Sequence, residues 1–419
     1  MTQIKFNDPD NYSTKGDSMQ IKRYLRSCFF VITITMVFLS ACSPPVAVNT
    51  PTMKVSVSTQ TPAILSSPTS TVIVQTVSTP AALTEVQNPQ LSKLDMLDTM
   101  NGWGTTESKL VKTMDGGTSW YDITPPWVQS LGHFNSFFFL NSLKGWVLTP
   151  ADDPGEGDLA FTGDGGLNWE RLPVPFDNGE IKFIDPNIGF ILVGRGVAAG
   201  SSAVDIYSTV DGGRNWIAVY QMQPGLGDEI NSLPFSGQKN GLGVLDAMNI
   251  WVSGSIPMES YVYLYNSRDG GYTWEKQEVL LPEPYGSSMT EVMPPQFFEN
   301  GYGILPIRLY GTNTEYAFYL SDDGGLSWSP GEPLISNGKI SIISPTEFLV
   351  WDGGPLLHFS EDGGSTWSSI VTNMNSRDQL INIDFVSLNV GWILTGDSSG
   401  RSDLIKTMDG GRTWNSLIP

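Results

Sequence analysis

A chain of 419 residues with 44 Gly, 28 Pro, 13 Trp, 19 Phe and 14 Tyr, and only 16% charged residues, has the usage of an all-β protein rich in tight turns. Its formal charge of −20 disfavours nucleic acid and anionic lipid headgroups as direct partners, because both would be repelled. Two Cys and two His, the latter His133 and His358, are too few for a thiolate metal centre and offer little for a Ser-His-Asp triad, so no metal, cofactor or catalytic residue is expected.

At the N-terminus, Lys22, Arg23 and Arg26 precede an apolar run over 28–40 that begins at Cys28, the charged-then-apolar order of a secretory signal. The run is short for a membrane span. The polar residues 1–18 read as an extended leader, or as a start placed ahead of a true first residue at Met19. Leu39-Ser40-Ala41-Cys42 resembles the bacterial lipobox, which implies cleavage before Cys42 and a diacylglycerol on its thiol; an uncleaved anchor or an ordinary cleavage site is the alternative. Residues 1–41 are thus expected to be a signal segment, and the mature protein to be held through Cys42 on the outer face of the cell membrane or the outer membrane. Residues 42–90 are dominated by Ser, Thr, Pro, Val and Ala, with Lys54 and Glu85 the only charges, the composition of a disordered tether. Within it, 71–77 (TVIVQTV) has the strand propensity to add to a sheet edge.

From residue 91 to 419 an eight-residue unit recurs seven times. The first copy, TMDGGTSW, places Asp115, Gly116 and Gly117 ahead of Trp120. TGDGGLNW follows with Asp164, Gly165, Gly166 and Trp169, then TVDGGRNW with Asp211, Gly212, Gly213 and Trp216. Ser replaces the leading Thr in the next three, which carry Asp269, Gly270, Gly271 and Trp274; Asp323, Gly324, Gly325 and Trp328; and Asp362, Gly363, Gly364 and Trp367. The last, TMDGGRTW, holds Asp409, Gly410, Gly411 and Trp414. Successive aspartates are 49, 47, 58, 54, 39 and 47 residues apart, the length of one four-stranded blade.

A Gly-aromatic pair opens an apolar strand upstream of most copies: Gly102-Trp103, Gly145-Trp146, Gly189-Phe190, Gly301-Tyr302 and Gly391-Trp392, with Ile250-Trp251 and Glu347-Phe348 as degenerate forms. The unit is therefore strand, turn, Gly-aromatic strand, strand, Asp-Gly-Gly hairpin, Trp strand. Paired glycines permit the positive φ of a tight hairpin. The Asp carboxylate and the Ser or Thr hydroxyl can bond the turn backbone, and the Trp can pack across the hairpin and between blades. The fold expected is all-β: a single seven-bladed β-propeller of four-stranded antiparallel blades, closed into a ring so that no sheet face is left bare.

This eight-residue pattern resembles the Asp-box, or BNR repeat, of sialidases, sortilin-like receptors, xyloglucan-active glycosidases and photosystem II assembly factors. In those families the box is peripheral and structural, which implies the same for these seven. The Gly-Trp strand combined with the box about every 49 residues is most similar to the photosystem II stability and assembly factor-like repeat proteins, single propellers that bind other proteins. That resemblance implies a monomeric binding or scaffold propeller with a protein partner in the envelope. One departure is the absence of an arginine-rich patch: Arg171, Arg195, Arg214, Arg268, Arg308, Arg377, Arg401 and Arg412 are scattered, and Arg214, Arg268 and Arg412 fall in box turns.

The other reading is a glycan-binding or glycoside-hydrolysing, sialidase-like propeller, which needs three convergent arginines and a Tyr activated by Glu. Its nearest echo is Pro306-Ile307-Arg308, in the wrong order and the fifth repeat. A xyloglucan-active enzyme would need two propellers, and the repeats suffice for one. Asp152, Asp153, Glu156, Asp158, Asp228, Glu229 and Glu259 fall between strands, where solvated carboxylates are common. A binding surface is expected on the longer insertions, 151–158, 194–202, 221–238, 257–261 and 282–295, presented at one rim of the ring.

Overall fold

The computed structural model describes residues 83–417 apart from 129–135, 152–154, 199, 223–230, 258, 375–378 and 398–399. Seven antiparallel sheets follow one another along the chain as the blades of a ring, each running from an inner strand outward. Blade 2 is representative, with Ser136–Phe139, Gly145–Pro150, Gly157–Thr162 and Glu170–Val174 in consecutive order. Blade 5 departs from four strands: Met289–Val292 and Gln296–Phe297 share the inner position, and Ser329–Pro330 and Leu334–Ile335 share the outer one.

Register explains why the repeats read as they do. In each blade the residue opening the second strand pairs with the Thr or Ser that begins the hairpin unit, as Gly102 does with Thr113 and Gly145 with Thr162. By this register the pair in blade 5 is Gly303-Ile304, not Gly301-Tyr302, because Gly301 is spent in a turn at φ +79°. In blade 6 it is Phe348-Leu349, one residue later than Glu347-Phe348. The glycine serves close approach: a Cβ on Gly145 would lie 2.2 Å from the Phe139 ring that crosses it. That ring in turn stacks on Trp103 of the preceding blade, centroids 4.0 Å apart. Phe183 stacks on Trp146 in the same way at 3.7 Å.

The hairpin is locked as its composition implies. Thr113 Oγ1 donates to Asp115 Oδ1 at 3.0 Å and accepts from the Gly117 amide at 2.8 Å, while Asp115 Oδ1 accepts from the Ser119 amide at 2.9 Å. The same three bonds recur in the other six copies. Gly116 and Gly117 take φ of +74° and +95°, which a Cβ would strain. The unit also reaches across blades. Trp146 Nε1 donates to Gly212 O at 2.9 Å, and Trp392 Nε1 to Gly116 O at 2.9 Å, so the buried strand indole of one blade holds the hairpin of the next. In blade 4 Gln277 intervenes, accepting from Trp251 and donating to Gly325 O.

The hairpin tryptophans are less uniform than expected. Trp120, Trp274 and Trp414 are buried, whereas Trp169, Trp216, Trp328 and Trp367 are only half-buried. The fully buried indoles belong instead to Trp103, Trp146, Trp251, Trp351 and Trp392 on the strands, together with Trp120 and Trp274. Truncation of a half-buried indole such as Trp216 removes less core than the repeat suggests.

Among the described residues ring closure uses no shared strand, since blade 7 is built from 380–416 and the inner strand of blade 1 is Lys93–Met96. Instead Leu91, Leu94 and Met96 pack with Trp392, Leu394 and Leu404. Asp384 Oδ2 accepts from the Met96 amide at 2.6 Å, and Asn382 donates to Leu94 O at 3.2 Å. The tether expected to run to residue 90 gives way earlier: Thr84–Glu85 adds a fifth, outermost strand to blade 1 against Tyr121–Asp122, and Gln90 accepts from the Ser402 amide of blade 7. Apolar Val86 and Leu91 draw this stretch onto the seam, while Leu83 packs in the cluster between blades 1 and 2.

Gly213→Ala is expected to lower stability by about 1–3 kcal/mol, because it combines φ of +91° with a Cβ 2.7 Å from Leu159. Trp146→Phe is expected to cost about 1–3 kcal/mol by orphaning the buried Gly212 carbonyl. Denaturant melts check both; unchanged midpoints would refute the interblade role.

Candidate functional site

The strand directions divide the connections between two rims. Hairpins and the turns between first and second strands lie on one; the links between second and third strands, and between blades, lie on the other. The insertions expected to bind therefore share this second, loop rim. Two are corrected in detail, since 194–202 is largely an extension of the paired strands Gly189–Ala198 and Ser201–Thr209, and 282–295 contains the inner strand Met289–Val292. Asp152, Asp153, Asp228 and Glu229 lie outside the described residues, as do Cys42 and the rest of 1–82.

A cavity of about 700 Å³ opens where the inner strands of blades 1, 2, 3 and 7 begin, at the loop-rim mouth of the channel. Lys93, Asp95, Glu180 and Lys182 line it with Phe137, Phe138 and Asn382. Much of its polarity serves the fold. An inner strand is a sheet edge with unpaired backbone groups, and side chains from the adjacent blade satisfy them: Ser136 Oγ accepts from the Ile181 amide, Ser341 Oγ from Phe385, and Lys182 donates to Leu242 O. Lys93 and Asp95 also line this mouth, and Glu180 Oε1 pairs with Lys182 Nζ at 3.2 Å.

Enclosure by the ring perturbs the acids. Burial pushes Asp384 up to about 7, with the neighbouring Asp95 charge adding to the rise despite the opposing Met96 bond, and burial raises Asp95 as well. Among the described residues no cluster of three His, Cys, Asp or Glu could hold a metal ion.

The remaining candidates are engaged locally. Asp158 is buried and accepts from Arg171 at 2.5 Å; Arg195 bonds Asp205 at 2.7 Å. Glu156 and Glu259 are exposed. Arg308, the residue a sialidase-like site would use, bonds Glu291 at 2.8 Å and the Tyr316 hydroxyl. Burial would lower its guanidinium, but its bonds to Tyr310 and Tyr316 and the charge of Glu291 push it upward overall. It is thus tied into the blade 5 rim, with Tyr316 reaching Gly338 O of blade 6. The hairpin aspartates are held ionised: although burial opposes it, bonds from Ser327, Ser321 and the Leu326 backbone hold Asp323 down at about 2.

Sequence reasoning missed the residue before each hairpin Trp. Asn168, Asn215, Thr273, Ser327, Thr366 and Thr413 bond the second carboxylate oxygen of their own hairpin Asp. The signal was present as an invariable Ser, Thr or Asn at that place.

No family model matches the chain. It is homologous to the photosystem II stability/assembly factor HCF136, chloroplastic, of Arabidopsis thaliana, with 25% identity over 310 residues, 70% of each chain. Among solved structures, YCF48 bound to D1 peptide is similar at a TM-score of 0.50 and 22% identity, over 79% of this chain and 97% of that one. The GH74 enzyme of Niastella koreensis gives 0.52 at 14% identity, over 80% of this chain but 55% of its own. Those two structural likenesses show the fold, which an assembly factor and a glycosidase share.

Folding stability is expected to fall between pH 4 and 7. Asp384 titrates near 4 when unfolded and at about 7 when folded, so the folded state binds the extra proton and loses that advantage as pH rises. Melting wild type and Asp384→Asn across this range checks it: the variant should flatten the decline. A parallel decline in both would place its origin elsewhere.

Proposed function

We propose that this chain is an exported lipoprotein, anchored through Cys42, whose propeller binds a segment of a partner protein at the loop rim in the manner of an assembly factor. The observation that carries the binding reading is the channel mouth, where two lysines, two carboxylates and two phenylalanines converge on one cavity of peptide-sized volume. Mixed charge beside apolar groups suits a polypeptide, which offers both signs and apolar side chains. Homology to an assembly factor supports a protein as the ligand class. Rigid blades keep the lining side chains preorganised, so little entropy is lost on binding. The lipid anchor rests on the order of basic, apolar and small residues ahead of Cys42, and the tether would carry the ring clear of the bilayer.

Lys93→Glu with Glu180→Lys should leave the melting temperature nearly unchanged and abolish crosslinking of a partner at the cell surface; undiminished crosslinking would exclude this mouth. Cys42→Ser should abolish incorporation of labelled fatty acid and release the protein, and persistent labelling would exclude the anchor.

A further inference from the structure

The opposite rim carries a feature that the channel mouth does not use. Six blades end there in two turns bonded together: the first hairpin glycine donates its amide to a carbonyl of the turn between the first and second strands, as Gly116 does to Met100 O at 2.8 Å and Gly165 to Leu143 O at 2.7 Å. Those turns are capped in their own right, with Asp98 Oδ1 accepting from the Met100 and Asn101 amides, and Asp246 Oδ1 from Met248 and Asn249. Large apolar side chains project from these fixed turns in pairs, one from each turn: Met100 with Met114, Leu143 with Leu167, and Met248 with Tyr272. Blade 5, without that bond, exposes Tyr302 and Leu326 on the same two turns, and the exposures run from 43% for Met114 to 66% for Leu326.

The fold does not demand them. Blades 3, 6 and 7 place Asn187, Thr346 and Asn389 at the equivalent turn position, and their carbonyls accept the same hairpin bond at 2.9 Å. Polar residues therefore satisfy the turn geometry, and the apolar ones there in blades 1, 2, 4 and 5 are additional, while the hairpins of blades 3 and 7 expose Val210 and Met408. Rows of exposed apolar groups on a rigid base mark interaction sites.

Charge selects the occupant. Every blade contributes its hairpin aspartate to this rim, and Asp98 and Asp246 add theirs. Cations of the rim are already engaged: Arg214 bonds Glu170 at 2.6 Å, Arg268 bonds Asn249 and Gly325 O, Arg412 donates to Asp409 O, and Lys112 and Lys406 reach the hairpin carbonyls of Gly165 and Gly116. An anionic bilayer would be repelled, and so would the same face of a second copy.

We propose that the hairpin rim is a second docking face, separate from the channel mouth, that takes a partner protein surface of interspersed basic and apolar side chains. The apolar pairs supply anchoring area, and the carboxylates around them steer the basic groups.

The test uses the full chain and a fluorescent helical peptide of Lys and Leu, with a Glu and Leu peptide and phosphatidylglycerol vesicles as further arms. Anisotropy should show salt-sensitive binding of the Lys peptide, weakened at least tenfold by Leu143→Ser, Leu167→Ser, Met248→Ser and Tyr272→Ser combined. These side chains are exposed, so an unchanged melting curve is expected to accompany the loss. Val197→Ser, which alters an exposed apolar residue on the loop rim, and Lys93→Glu at the channel mouth should each change affinity less than twofold. Equal binding by the combined variant, equal loss in Val197→Ser, or comparable binding of the Glu peptide or the vesicles would overturn the proposal. A change of more than twofold in Lys93→Glu would move the peptide to the channel mouth and overturn this face, while crosslinking at the mouth is read separately, so failure of one face is distinguishable from failure of the other.

Discussion

The ring depends on one contact between consecutive blades: the second glycine of each Asp-Gly-Gly hairpin packs on side chains of the blade before it, and at three of the seven junctions that partner is a strand tryptophan, Trp146, Trp251 or Trp392. The second hairpin glycine lies close against the neighbouring blade. A Cβ on Gly325 would lie 2.6 Å from the Trp251 ring, and one on Gly117 3.1 Å from Leu404 of blade 7. The pair of glycines thus meets two demands together, positive φ within the turn and bare backbone toward the neighbour. Cations reinforce the same carbonyls, with Lys112 reaching Gly165 O and Lys406 reaching Gly116 O, each at 3.4 Å. Lys406 also lies 4.6 Å from the Trp392 ring centroid.

The fold was legible because this contact leaves a fixed trace. Asp, two glycines and Trp must recur at blade length, so blade number and ring closure followed from counting. What stayed hidden was hidden for physical reasons. Phe139, Phe183, Phe297 and Phe385 each precede by six residues the glycine their ring crosses, a period that appears only once the inner strand is known to fold back onto the second. Gly301-Tyr302 imitated a strand opening because a turn glycine and a strand glycine are written with the same letter. The seam between blades 1 and 7 could not be read, since its bonds join residues nearly 290 positions apart, such as Met96 with Asp384.

The candidate site was legible only as a rim. Insertion length pointed to the side of the ring where the loops gather, which the strand directions confirm. Length carried no information about which insertions were strand extensions, nor that the channel mouth would be lined by inner-strand Lys93, Asp95 and Glu180 rather than by loop carboxylates. Such residues alternate with buried ones along a short edge strand, and in sequence they resemble any solvated face. Function therefore rests on surfaces that the scaffold presents but does not specify, as fold and function part company across the propellers this chain resembles.

The central claim is that a blade's hairpin is held by its neighbour as well as by its own turn. Native-state hydrogen exchange at the Gly117 amide, in wild type and Trp392→Phe, addresses it directly, because the substitution lies in blade 7 and leaves every bond within the blade 1 hairpin intact. Loss of the Trp392 to Gly116 bond should reduce protection there by about tenfold, the equivalent of roughly 1.4 kcal/mol. Protection at Gly117 identical in the two proteins would mean that the hairpin stands alone and the ring is held by something else.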